Sequence, residues 1–193
     1  MALSAIRKAR TTFYQRLLAG AGGLVAAALS LGYSLYEARN GGEIMTVSPE
    51  TVVNAGRWNV TLHSGSIAMQ TPDGLKLQDG GKALVVDLTL ENLSAESSNL
   101  YAEALKLDNI ASPPRPYFYL TRDKALLGDL QPMMPENVKA VWQMPADQPL
   151  PEALIVSIVG SRYKPKDNLY AAPGWFDPAE VAKATLPLTE GAP

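Results

Sequence analysis

Residues 17–36, LLAGAGGLVAAALSLGYSLY, are twenty consecutive positions without a charged side chain. At about 1.5 Å per residue a helix of that length spans roughly 30 Å, the thickness of a bilayer's hydrocarbon core. Arg7, Lys8, Arg10 and Arg16 precede it, and no Asp or Glu occurs before Glu37. A basic flank of this kind stays on the cytoplasmic side. The expected organisation is a cytoplasmic tail at 1–16, a signal-anchor helix at 17–36, a linker at 37–42, an extracytoplasmic domain at 43–188 and a flexible tail at 189–193. The expected location is the cell membrane, crossed once, with the bilayer itself as a partner through 17–36. The rival reading is a cleaved signal peptide with Ala26-Ala27-Ala28 as its small-residue site. Against it, the apolar run continues to Tyr36, and Phe13, Tyr14, Tyr33 and Tyr36 sit near the two ends as interfacial aromatics do. A lipoprotein is excluded, because lipidation needs a cysteine and the chain has none.

Beyond residue 36 the balance turns acidic, with thirteen Lys and Arg against nineteen Asp and Glu, a net charge of −6. That charge argues against nucleic acid as a partner. The absence of Cys removes disulfides, thiol catalysis and Cys-based zinc sites. The exposed part must therefore be held by its core. A domain of about 150 residues buries roughly 70% of its unfolded surface, which is enough.

The apolar pattern in this part has period two. In Lys82–Asn92, Leu84, Val86, Leu88 and Leu90 share one face while Asp87, Thr89 and Glu91 share the other with Val85. Trp58, Val60 and Leu62 alternate with Asn59, Thr61 and His63; Leu154, Val156 and Ile158 alternate with Ile155, Ser157 and Val159. Val138–Met144, Tyr117–Leu120 and Lys183–Leu188 add further strands. Leu100–Asp108 carries both strand and helix signals, and Asp177–Val181 has the N-cap and first-turn proline of one helical turn. Strands separated by Gly, Pro, Asn and Asp without intervening helices predict an all-β antiparallel sandwich.

The order of pieces Gly56–Thr61, Val85–Asn92, Leu105–Asp108, Leu130-Gln131-Pro132, Val141–Pro145 and Leu154–Val156 resembles the telokin-like, immunoglobulin-type domains of anchored or secreted bacterial envelope proteins. The resemblance covers roughly residues 50–160. It implies an immunoglobulin-like sandwich, an envelope location and a binding or assembly role. Its motifs mark structure, so it carries no functional residue onto this chain, and Arg162–Leu188 has no counterpart in it.

No catalytic constellation is legible. His63 is the sole histidine and lacks the Cys or His partners of a metal site. Strict alternation aims Ser64 away from it. No carboxylate pair stands out by spacing, and no phosphate loop, dinucleotide fingerprint or calcium loop occurs. The expectation is a non-enzyme without cofactor or metal. Two segments carry binding chemistry. Pro113–Pro116 is a stiff stretch that places Arg115 and Tyr117 together. The long loop after Arg162 carries Tyr163, Lys164, Tyr170 and Trp175. Ala19, Gly23 and Ala27 put small residues four apart on the expected helix, a spacing that lets helices pack closely in lipid and that allows a homo-oligomer. These features predict a tethered binding or assembly protein, accessory to another membrane protein or envelope complex. The alternative is a solute- or glycan-binding module using Trp175, Tyr163 and Tyr170 with Arg162 or Asp167.

Overall fold

The computed structural model describes residues 23, 25–33, 35, 44–77 and 80–190. The chain divides into two compact units, Met1–Glu43 and Ile44–Pro193. In the first, residues 25–33 are helical and exposed. No helix among the described residues is long and apolar enough to cross a membrane. Both ends of the expected 17–36 span, and the whole 37–42 linker, lie outside those residues.

The second unit is all-β, as the period-two pattern requires. Its strands are β1 (Met45–Thr46), β2 (Val52–Asn54), β3 (Trp58–Ala68), β4 (Lys82–Asn92), β5 (Leu105–Leu107), β6 (Tyr117–Leu120), β7 (Glu136–Met144), β8 (Ala153–Lys164) and β9 (Gly174–Glu190). They form one curled sheet in the order β5-β8-β9-β3-β4-β7-β6, with β1 added to β9 and β2 to β3. β9 is the seam. It pairs antiparallel with β8 from Gly174 to Pro187, then pairs parallel with β3 through Leu188–Glu190.

Curling brings the apolar face of each half against the other. Trp58, Val60, Leu62, Leu84, Val86, Leu88, Leu90, Val138, Ala140, Trp142 and Met144 come from one half. Leu154, Val156, Ile158, Ala182, Ala184 and Leu186 come from the other. All join one core, none more than 3% exposed. Each large member contributes about 1.5–3 kcal/mol of burial. Ala83, Val85, Tyr119 and Val141 form a smaller cluster on the outer face with Ala68 and Leu77.

One open reading is resolved and three local expectations are corrected. Leu100–Asp108 uses both of its signals, a 3-10 turn at Leu100–Ala104 followed by β5. Asp177–Val181 is strand, not a helical turn. Asp177 takes φ +54°, and a register shift between Gly160 and Arg162 of β8 accommodates Asp177 and Pro178 within the ladder. Thr189 and Glu190, expected in a tail, pair with Ser66 and Ile67. A bulge between Leu62 and Ser64 breaks the alternation at His63, so Ser64 faces the same side and donates to Asp87 at 3.4 Å.

Strand direction assigns the loops to two ends. β3 runs with β9, while β8 and β4 run against them. The β8–β9 connection, the start of β3 and the end of β4 therefore share one end. The β3–β4 connection and the start of β6 share the other.

Candidate functional site at the base of the hairpin

β5 pairs with β8 only at Val156–Ile158, and Arg162–Lys164 pair only with Gly174–Phe176 among the described residues. The β8–β9 hairpin therefore projects beyond the rest of the sheet. Its base is pinned by two glycines. Ser161 N–H donates to Ala55 O at 3.0 Å. Gly56 takes φ +78°, and a β-carbon there would lie 1.8 Å from the Ser161 carbonyl oxygen. At Gly160 a β-carbon would lie 2.8 Å from Val181. Only glycine lets the β2–β3 corner rest on β8 this closely, and the next residue is Arg57.

A second wall comes from Asn92, fully buried at the end of β4. Its amide donates to Glu96 O at 2.8 Å and Leu130 O at 2.9 Å, and its oxygen accepts from Ser94 N–H at 2.9 Å and from the Ser94 hydroxyl at 2.6 Å. That satisfied amide fixes the turn through residues 93–96 opposite the hairpin.

Between the two lies a cleft of about 450 Å³ lined by Arg57, Ser94, Glu96, Tyr163, Gly174 and Trp175, among others. Tyr163 and Trp175 meet edge to face, centroids 5.4 Å apart. A smaller hollow of about 130 Å³ lies behind Arg57 and Trp175, against Trp58, Glu103 and Phe176. Arg57 borders both. Its guanidinium sits 5.6 Å from the Trp58 ring centroid. Its Nε is buried and finds no hydrogen-bond partner among the described residues. Burial lowers its pKa, and the charges of Glu103 and Glu96 pull it back up. An unmet buried donor costs about 1–3 kcal/mol. The Arg57 side chain as a whole is half-buried and borders the aromatic-lined cleft, where the rest of its guanidinium can meet an acceptor on a ligand.

Of the residues singled out from sequence, Tyr163 and Trp175 line this cleft. Lys164 and Tyr170 lie on the same hairpin but brace it. Lys164 Nζ pairs with Asp177 at 3.0 Å and Asp167 at 3.6 Å, and Tyr170 stacks on Phe176 with centroids 6.2 Å apart. Arg115 and Tyr117 are exposed at the opposite end of the fold, so the two expected binding segments do not converge. Gly23 and Ala27 are exposed helical positions, and Ala19 lies outside the described residues. From sequence, Arg57 reads as the start of a strand and Glu96 as a solvated loop charge, neither as a site residue. Nothing in their spacing links them to a hairpin more than sixty residues downstream.

Three other clusters have a simpler role. His63 meets Glu50 and Thr89, each at 2.8 Å, in the order acid, imidazole, hydroxyl. The Thr89 hydroxyl donates to Asn137 Oδ1 at 2.7 Å, so its proton is not offered to His63. On the outer face, Lys106, Asp108, Glu180 and Lys183 alternate in sign around the buried Ser157, with Lys106–Glu180 and Lys183–Asp108 both at 2.6 Å. A hollow of about 710 Å³ lies at the far end between Thr71, Tyr119 and Asp147. None of its described side-chain polar atoms is both buried and unpaired. No group of three metal-ligating side chains occurs among the described residues.

Comparison of the chain with protein-family models, curated proteins and solved structures returns no match.

Proposed function

We propose that this chain is a non-catalytic binding protein, tethered outside the membrane by its N-terminal helix, whose recognition site is the cleft of Arg57, Glu96, Tyr163 and Trp175. The observation that carries this is Arg57: a half-buried guanidinium, one of whose nitrogens finds no acceptor among the described residues, set beside two aromatic rings on an open cleft. The ligand that fits is a segment with a carboxylate or carbonyl for Arg57 and an apolar group for Trp175, contributed by a membrane or envelope partner. Tethering keeps the cleft at high effective concentration beside anything in the same membrane. The curled sheet, with two inner faces on one core, is compatible with the immunoglobulin-type sandwich of the envelope domains that the sequence resembles.

A second reading is a solute- or glycan-binding module. The cleft volume favours it, because about 300–1,000 Å³ is the range of small-molecule sites. The two separate by experiment. The tagged full chain, extracted from native membranes in mild detergent, captures a stoichiometric protein partner under the first reading. Under the second it captures none, and oligosaccharides or small solutes quench Trp fluorescence in a way that Trp175→Ala abolishes. A chain that does neither contradicts both.

A further inference from the structure

The proline segment before β6 and the cleft at the other end of the fold carry complementary chemistry. Pro113, Pro114 and Pro116 each fix φ at about −65°, and Pro114 and Pro116 hold the residues before them extended. Pro113–Pro116 is therefore one turn of polyproline helix, and it lies outside every strand. Such a helix has no internal hydrogen bonds, so its carbonyls are free to accept. Pro114 and Arg115 are exposed, and Tyr117, 51% exposed, follows them.

The cleft supplies what a segment of this kind needs. Tyr163 and Trp175, meeting edge to face, offer the aromatic surface on which polyproline ligands dock. Arg57 borders the cleft with N–H groups for a carbonyl. Glu96 lines the same cleft and is exposed. Neither Glu96 nor Arg115 makes an ion pair among the described residues. Among the charged residues lining the cleft and the hollow behind it, Glu96 and Glu103 outnumber Arg57. That balance favours a carbonyl on a cationic segment over a carboxylate. Segment and cleft lie at opposite ends of one chain, so they can meet only between copies.

We propose that the Arg57 cleft of one copy receives the Pro113–Pro116 segment of a second copy. A proline ring packs against Tyr163 and Trp175, Arg57 donates to a segment carbonyl, and Arg115 pairs with Glu96. The two surfaces differ, so the contact is head-to-tail. Every assembly keeps a free segment at one end and a free cleft at the other, and copies add in a row. The preset polyproline conformation keeps the cost of ordering low. This rests on the cleft being a recognition site.

The test follows the full chain in mild detergent by sedimentation velocity over a range of concentrations. Wild type should pass from monomer to dimer to longer species as concentration rises. Arg115→Glu should weaken this about tenfold or more, the effect of losing one interface anchor. Placing Glu96→Arg in the Arg115→Glu chain should restore it. Arg115→Glu keeps its cleft and Trp175→Ala keeps its segment, so a mixture of the two should form a one-to-one pair that grows no further. A synthetic peptide of residues 111–118 should change the Trp emission of wild type and leave that of Trp175→Ala unchanged. Assembly that neither Arg115→Glu nor Trp175→Ala weakens runs through another face and overturns the proposal, as does a closed dimer. A chain that stays monomeric, yet captures a different protein that Arg57→Met loses, overturns the second copy as occupant and leaves the cleft reading standing. No assembly, no peptide response and no captured partner overturns both.

Discussion

Gly56→Ala should destabilise the domain and open its cleft, and the structure sets the size of the effect. The residue holds φ +78°, which costs an L side chain about 1–2 kcal/mol. The new methyl would lie 1.8 Å from the Ser161 carbonyl oxygen, so the corner must lift away from β8 by more than an ångström. That breaks the 3.0 Å bond from Ser161 N–H to Ala55 O, a further loss of about 1 kcal/mol. The total is about 2–3 kcal/mol. At about 3 °C per kcal/mol for a domain of this size, the midpoint should fall by roughly 6–9 °C in a far-ultraviolet circular dichroism melt. Gly74→Ala is the internal control. Gly74 also holds a positive φ, +85°, but a β-carbon there meets nothing within 4 Å. It should lose only the strain, about 1 kcal/mol. Equal shifts for the two variants would refute the close-approach argument.

Further perturbations probe the walls, the charge and the helix. Asn92→Ala removes the amide's bonds to the Leu130 and Glu96 carbonyls and from the Ser94 N–H, while Leu130 O keeps Ser98 N–H and Glu96 O the Ser94 hydroxyl; it should cost about 1–3 kcal/mol by urea titration, and no measurable loss would contradict the role given to that amide. Asp108 and Glu180 are held below their ordinary values of 3.8 and 4.5, chiefly by Lys183 and Lys106 respectively. A depressed carboxylate pKa gives stability that is present above the unfolded value and lost as pH falls through the folded one. Melting temperature should therefore drop below about pH 4, and Lys183→Met should flatten that drop; an unchanged acid limb would dismiss the network. Replacing Gly23 and Ala27 by Leu should abolish partner capture if the expected helix packs through its small residues, and capture at the wild-type level would remove that face from the assembly.

Period two was a sufficient guide to the strands because one face of each is buried. Leu84, Val86, Leu88 and Leu90 all reach the core as their alternation requires. The pattern failed where side chains were too polar or special to keep it. The bulge at His63 is invisible to alternation, and Asp177-Pro178 reads as a helix start because the register shift that carries these two residues through β9 leaves no local signal. The cleft was half legible. Tyr163 and Trp175 stand out as aromatics in a long loop. Arg57, in the β2–β3 corner, stands out in nothing from sequence, because what makes it distinctive is the burial of one nitrogen atom in the folded chain.

The most direct measurement is capture from native membranes by the tagged full chain beside its Arg57→Met variant, with the melting temperature of each. Because the Arg57 Nε is unpaired among the described residues, its loss should leave the melting temperature equal or slightly higher. The partner, or the solute-dependent Trp response, should disappear. Binding at the wild-type level by a fully folded Arg57→Met would contradict the recognition role of the cleft.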